Sequence, residues 1–596
     1  MTVGAVSRPS IGRRTAWWLA AHPILTTFLL AAALQLLWLA TLATSGGDIA
    51  AQDAWAEFAR RYPRSAYNLA WYGGIHPVSY SVVSPYVMAA LGVRTTMVVS
   101  GTVASALVSL LLVRSGAARP IWPSIVGALA FFANAISGRT TFVLGAVFGL
   151  AALAVVFSWG DEWTQGSPTR RLVRRALVAG LAALATFGSP LAGLVIGIVA
   201  VALWPVRRRG DSLLLGVPPV VVVALSAWLF PFGGKQPMSW PSIILPLVLC
   251  FGVLLTAPRS WRIVRWSTVV YAAFVLFAWI VPSPIGTNIG RLSLVFGGVV
   301  VAAILTSGNV SAPAWWTRTT RLGAVLTTSL LLVTSLVWQG ATSTKDELHT
   351  APASAWTYDT APLLAELSAR HASLARVEVV PSASHREAAA LAEYVNLARG
   401  WNRQADAERN PLFYDESAPI TPATYLDWLH RWAVGYVVLP PGAPDDAAVQ
   451  ESQLIDSGLP YLRLVWADAD WRLYQVTDAT PLADPPAKVE SFGPAELELY
   501  LPRAADVLVR VPYSPWLALV DADGSPIPAP TAIQDGGEPL NIDGCLARWK
   551  QPESEGDDDV WTELRAPAAG IYRIAAPYTV HRGTACPASD EQGTVE

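Results

Sequence analysis

The sequence predicts a polytopic α-helical membrane domain of about eleven spans, followed by an extracytoplasmic α/β domain and a β-sandwich. Three observations carry that expectation. Only 14% of the 596 residues are charged and the mean hydropathy is positive, whereas soluble chains carry about 25% charge. Long Leu/Val/Ala runs fill residues 17–340 and then stop. Beyond them helix-like and strand-like segments alternate, and from residue 485 the pattern turns to period two.

The first apolar run follows Arg8, Arg13 and Arg14. It is longer than the h-region of a cleaved signal, about 7–15 residues, and is read as an uncleaved first span with residues 1–16 in the cytoplasm. A spanning helix needs about 20 apolar residues, which places spans near 20–44, 95–113, 121–137, 140–159, 213–231, 240–257, 267–284, 291–307 and 322–340. Cytoplasmic loops collect Lys and Arg. Arg114 and Arg119, Arg170 to Arg175, Arg207 to Arg209, Arg259 to Arg265, and Arg318 with Arg321 therefore mark the inner side.

The stretch 176–204 has basic clusters at both ends, so it crosses an even number of times, turning at Gly188-Ser189-Pro190. Each limb is about 13–15 residues, roughly 20 Å of helix, which predicts a shallow hairpin inside the protein, where irregular backbone is tolerated. The odd total puts Asp48, in an outer loop over 45–94, and the C-terminal domains on the outer side.

Residues 341–484 read as a small α/β domain, with helices near 358–371, 384–396, 423–432 and 445–457, strands at 376–380 and 436–439, and a closing hairpin YLRLVWADADWRLYQV. Residues 485–581 carry ELELYL, DVLVRV and IYRIAA between Pro/Gly/Asp turns, the signature of a β-sandwich. A disordered tail is expected over 582–596. Cys545 and Cys586 lie in this outer part, whereas Cys250 lies within a span. An oxidising compartment permits a disulfide between the pair, worth about 4 kcal/mol by loop entropy; spacing does not decide whether it forms.

Asp48 is the most informative acid, lying a few residues beyond the first span. Trp55, Phe58, Ala59 and Tyr62 share one helical face after it, which predicts a helix in the interface plane. Asp48 reads equally as the N-cap of that helix. His76 in WYGGIHPVSY suits a base or phosphate ligand as well as a turn, and Tyr72, Tyr80 and Tyr86 suit sugar stacking as well as an aromatic belt. In PSPIGTNIGRLSLVF, Asn288 and Arg291 stand at the outer end of a span, and Arg139 stands on the same side. Arginine there clamps phosphate or snorkels. No P-loop, HExxH, CxxC or GxSxG spacing occurs, and a net charge of −2 with an acidic tail argues against nucleic acid.

One acid and two arginines at one membrane face resemble the GT-C superfamily of membrane glycosyltransferases, which use polyprenyl-phosphate sugar donors. GGDIAAQD matches the early outer-loop acid of that superfamily through Asp48. The chain is more particularly similar to actinobacterial GT-C-like membrane proteins labelled 6-pyruvoyl-tetrahydropterin synthase-related, a label without functional content. The likeness rests on FGSPLAGL, TNIGRL, SHREAAALAEYVNLARGWNRQ, GYVVLP and the closing hairpin. It implies an inverting transferase in the cell membrane, moving sugar from a lipid-borne donor to a cell-envelope glycan or glycolipid, with Asp48 as general base. Arg291, Arg139, Asn288, His76, Tyr72 and Tyr80 then bind substrate, and Arg399, Trp401 and Arg403 contact the acceptor. The superfamily's second acid is lacking; Asp53 comes five residues on. Cofactor use therefore stays open between none and a divalent cation, Mg or Mn, on Asp48 and Asp53.

Two other classes compete. A transporter or flippase of envelope precursors would place charges near the bilayer midplane and show internal repeats, but the ionisable residues sit at span ends and neither half resembles the other. A non-catalytic GT-C-like scaffold that binds glycan would keep its function without Asp48.

Overall fold

The computed structural model describes residues 18–44, 46–79, 81–231, 233–308, 320–350, 359–415, 417–440, 442–530, 543–550, 559–579 and 582–587. The expected N-terminal cytoplasmic segment 1–16, Arg318 and Tyr80 lie outside them. The chain divides into two compact units, one of Met1–Thr44, Tyr80–Leu229 and Lys235–His349, the other of Ser45–Ser79, Phe230–Gly234 and Thr350–Glu596.

The first unit is helical. Among the described residues, seven helices are long and apolar enough to cross a membrane: Pro23–Thr41, Val93–Arg114, Thr140–Ser158, Arg209–Leu229, Arg262–Ile280, Gly286–Thr306 and Leu322–Thr350. Ile121–Ile136, Pro190–Leu203 and Trp240–Thr256 are shorter apolar helices. Pro168–Gly188 is as long as a span, but four arginines occupy its first two turns. This chain is a multi-pass membrane protein.

Small residues let these helices approach. A Cβ on Gly145 would lie 2.8 Å from the Ala185 carbonyl and 2.9 Å from the Ala192 Cβ, so the hairpin of Pro168–Gly188 and Pro190–Leu203 packs its turn directly on Thr140–Ser158. The carbonyls freed at that turn need donors. Ser81 and Ser84 donate their hydroxyls to the Gly188 carbonyl at 2.8 and 2.7 Å, and the Val82 amide donates to the Phe187 carbonyl at 3.0 Å. At the other end of Thr140–Ser158, Arg208 donates to the Val156 carbonyl at 3.1 Å, and Arg174 and Arg208 share Asp211 at 2.9 and 2.6 Å. Arginine at a helix C-terminus is stabilised by the helix dipole.

The span over 286–306 is broken. It opens as a 3-10 turn, Gly286–Ile289, passes through a π segment, Ser293–Gly297, and ends as the α-helix Gly298–Thr306. Gly286 sits at φ +40°, where a Cβ would collide with the Gln236 carbonyl. Gln339 donates to the Leu294 carbonyl at 2.8 Å, and the Tyr271 hydroxyl donates to the Ile289 carbonyl at 3.1 Å. The irregular backbone is thus satisfied from neighbouring helices.

The second unit contains a five-stranded sheet ordered β2-β1-β3-β5-β4, with β1 Arg376–Val379, β2 Asn396–Leu397, β3 Val434–Leu439, β4 Leu462–Ala467 and β5 Arg472–Val476. β1 runs parallel to β2 and β3, and β5 runs antiparallel to β3 and β4. Side chains alternate across the sheet. Val377, Val438 and Leu473 join Trp55, Trp71 and Leu363 in one core, while Val434, Val437 and Val476 join Tyr425, Trp428 and Ile455 in another.

Two antiparallel sheets follow, β10-β11-β8 and β6-β7-β12-β9. Their strands are β6 Lys488–Phe492, β7 Glu496–Leu501, β8 Ala505–Pro512, β9 Ala518–Val520, β10 Cys545–Lys550, β11 Val560–Ala566 and β12 Gly570–Ala575. Cys545 and Cys586 form a disulfide. The Leu546 amide donates to the Thr584 carbonyl at 2.8 Å, and the Cys586 amide donates to the Leu546 carbonyl at 3.0 Å. Residues 582–587 are therefore built into this module, contrary to the expected disordered tail; residues 588–596 lie outside the description.

Two further expectations change. The loop after the first span belongs to the C-terminal unit: the Ala66 amide donates to the Ala576 carbonyl at 2.7 Å and the Leu397 amide to the Ala70 carbonyl at 2.8 Å. The helix expected over 384–396 shrinks to Glu387–Ala390. Leu391 and Val395 are buried in the core, and Asn396–Leu397 must leave the helix to pair with β1.

Candidate functional site

Asp48 opens the helix Asp48–Arg61. The capping residue is Gly47, at φ 60° and ψ −140°, so Asp48 occupies the first turn and is not the N-cap. A carboxylate there is favoured by the helix dipole. Asp48 itself is partly exposed. The helix does not lie on a lipid surface as expected: Ile49, Ala50, Trp55, Phe58 and Ala59 are buried, and Trp55 meets Trp71 edge-on at 5.0 Å.

Gly47 is held on both sides. Its amide donates to the Ser384 carbonyl at 2.7 Å. Its carbonyl accepts the Ala50 amide at 3.0 Å and the Trp401 indole N–H at 2.8 Å. A Cβ at Gly47 would stand 2.5 Å from Thr350 Cγ2, and one at Gly46 would stand 2.5 Å from the Thr350 carbonyl.

Behind Trp401 lies a buried charged group. His385, in the left-handed region at φ 53°, stacks on Trp401 with centroids 3.4 Å apart and planes inclined 10°. Its Nε2 is 3.4 Å from Asp445 and its Nδ1 3.7 Å from Glu387. Burial by itself disfavours the imidazolium, but the two carboxylates outweigh it and raise the His385 pKa. Burial pushes the Asp445 carboxyl up, and His385 and Arg403 more than reverse this, leaving it well below the usual carboxylate range. Arg403 reaches Asp445 at 3.0 Å. Sequence reading missed His385, Glu387 and Asp445: the SHRE run displays the first two, but their partner is supplied by a distant loop.

Other nominated residues take structural roles. His76 is buried; its Nδ1 donates to the Ala66 carbonyl at 2.8 Å and its Nε2 lies 3.1 Å from the Ser514 hydroxyl. Burial lowers its pKa to about 4, so it is neutral near pH 7 and makes a poor phosphate ligand. Tyr72 is fully buried at φ 53°, with its hydroxyl donating to the Asn402 carbonyl at 3.3 Å and accepting the Asn402 amide at 2.9 Å. Arg399 is also buried. It pairs with Asp406 at 2.7 Å and Glu451 at 3.1 Å, lies 3.8 Å from Glu378, and is covered by the Phe413 ring. None of the three is placed to meet substrate.

The nominated arginines stand in the helical unit. Arg139 precedes Thr140–Ser158 and pairs with Asp346 at 3.0 Å. It shares a narrow recess with Asn134, Ser137, Gln339, Ser343 and the π segment at Leu294 and Val295. Arg291 lies one turn earlier on the same broken helix, beyond Asn288, and both are partly exposed. Among the described residues no three His, Cys, Asp or Glu side chains gather as metal ligands. Asp48 and Asp53 point about 140° apart around their helix, which does not make a chelating pair.

A family model described as a domain of unknown function (DUF8823) matches residues 484–591. No curated protein matches the chain. Among solved structures, the chain is similar to the arabinofuranosyltransferase AftD from Mycobacteria, with 12% identity and a TM-score of 0.41 over 92% of this chain and 61% of that one. It is also similar to ArnT from Cupriavidus metallidurans bound to undecaprenyl phosphate, with 11% identity and a TM-score of 0.35 over 78% of this chain and 98% of that one. The chain thus spans about three fifths of the AftD length.

Proposed function

We propose that this chain is a GT-C-type glycosyltransferase that moves a sugar from a polyprenyl-phosphate carrier to a glycan or glycolipid of the cell envelope. The observation that carries the reading is Asp48: a partly exposed carboxylate that opens the first helix after the first membrane helix, on a two-glycine lead-in whose backbone is fixed on both sides. That position matches the acid of the superfamily the sequence resembles. In this reading the N-terminus is cytoplasmic, about eleven crossings follow, and the C-terminal unit faces outward.

Asp48 takes the proton of the acceptor hydroxyl as its oxygen attacks the anomeric carbon. The new C–O bond forms as the bond to the carrier phosphate breaks, so configuration inverts and polyprenyl phosphate leaves with the electron pair. Arg291 and Arg139 stabilise the phosphate charge, and Asn288 contributes a polar contact. Asp346, paired with Arg139 in the structure, is the carboxylate a phosphate would displace.

The test uses purified full-length protein in nanodiscs with a panel of radiolabelled undecaprenyl-phosphate monosaccharides and membrane glycan extract. One member of the panel should be consumed with label appearing in the glycan fraction. Arg291→Gln should raise the donor KM at least tenfold, about 1.4 kcal/mol. Transfer from a nucleotide sugar in place of every lipid-linked donor would defeat the proposal.

A further inference from the structure

The backbone around Gly47 sets the direction of the Asp48 Cα–Cβ bond, and three groups outside the helix fix that backbone. Gly47 adopts φ 60° and ψ −140°, a conformation available to glycine and to few other residues. Its amide is bound by the Ser384 carbonyl and its carbonyl by the Trp401 indole. Both peptide planes flanking Gly47 are therefore set by the segment 384–401. Thr350 closes the remaining space, since any β-carbon at Gly46 or Gly47 would meet it.

Trp401 is in turn held by two neighbours. His385 stacks face to face on its ring, and Arg403 lies over it at 5.7 Å from the centroid. His385 is fixed between Asp445 and Glu387, and the Ser382 hydroxyl donates to Glu387 at 2.6 Å. A chain of contacts thus runs from the carboxylates through His385 and Trp401 to the peptide bond that leads into Asp48. A tryptophan needed only to fill space would not have to direct its N–H at the one residue before the acid, and a stacked imidazole between two carboxylates is a costly way to support a packing residue.

We infer that Trp401 and His385 are positioning residues for Asp48, acting through the Gly47 peptide to aim the carboxylate at the acceptor hydroxyl. This replaces the acceptor-contact role for Trp401, and it rests on the reading of Asp48 as general base. A misaimed base leaves donor binding intact and slows the chemical step.

The test compares wild type, Trp401→Phe, His385→Gln and Asp48→Asn as full-length proteins in nanodiscs. The panel member that wild type consumes serves as donor, and hydrogen exchange of the peptide spanning residues 46–50 is measured in parallel. Trp401→Phe keeps a six-membered aromatic ring for stacking and loses the pyrrole half of the indole with its N–H; kcat should fall at least tenfold with donor KM within twofold, and the 46–50 amides should exchange several-fold faster. His385→Gln should shift both in the same direction, which covers the case in which one variant folds poorly. Unchanged kcat and unchanged exchange in Trp401→Phe would overturn the inference while loss of transfer in Asp48→Asn left the parent reading intact. Full transfer by Asp48→Asn would remove the parent reading and the positioning role with it.

Discussion

His76 stands before a proline in a loop rich in glycine and tyrosine, a setting that suits a turn, a base or a ligand equally. The fold decides for none of the chemical roles: the ring is buried between Tyr67 and Phe230, both nitrogens are engaged, and its pKa falls to about 4. His76→Ala should cost roughly 2–4 kcal/mol through the cavity and the orphaned Ala66 carbonyl, read as a lower unfolding midpoint, with donor KM unchanged in the folded fraction. Arg376 makes the same point for a cation. It is fully buried, donates to the Trp432 carbonyl at 2.8 Å and to the Arg510 carbonyl, and faces the Trp432 and Phe492 rings. Residue type and neighbours name candidates; burial and partners, which depend on residues hundreds of positions away, decide among them. Asp48 remains as the nominated acid that the fold leaves partly exposed, while Tyr72, His76 and Arg399 turn inward.

Helices and strands with strong periodicity were legible, because their burial pattern is written locally. The turn at Gly188-Ser189-Pro190 was expected and is where Pro168–Gly188 ends; the donors that make it tolerable, Ser81 and Ser84, carried no signal. The helix expected over 384–396 failed because a strand register overrode helix propensity. Nor could periodicity show that the apolar face of Asp48–Arg61 meets protein and not lipid, since both solvents select the same stripe. The buried acid cluster of the α/β sheet was equally invisible. Burial raises the pKa of Glu378 and of Glu451, each reinforced by neighbouring carboxylates and opposed by Arg399. A carboxyl whose folded pKa is raised binds its proton more tightly in the native state, so its stabilisation is present at low pH and is lost as pH rises from the ordinary value of 4.5 through about 7. Glu451→Gln does not titrate. The stability advantage of wild type over Glu451→Gln should therefore shrink by up to roughly 3 kcal/mol between pH 5 and pH 8, measured by chemical denaturation at each pH. An advantage that grew over that range would mean the acid is charged in the fold.

At the level of the whole molecule, the division into a helical unit and a C-terminal unit does not follow the boundary in hydropathy. Composition marks residue 340 as the end of the apolar region, yet Ser45–Ser79 folds with Thr350–Glu596. The segment after the first span is polar and aromatic; nothing local ties it to residues three hundred positions later, and hydrogen bonds such as those from Gly47, Ala66, Ala70 and Tyr72 do so. The acid nominated for chemistry consequently rests on the same unit as the clamp of Trp401 and His385. Deleting the C-terminal unit should therefore abolish sugar transfer even where the membrane helices still insert. Asp48 is the group on which sugar transfer turns, and transfer from an undecaprenyl-phosphate sugar by wild type and Asp48→Asn, matched for unfolding midpoint, tests its role most directly. Loss of at least three orders of magnitude in kcat with donor binding retained is the predicted result; transfer by Asp48→Asn at the wild-type rate would contradict it.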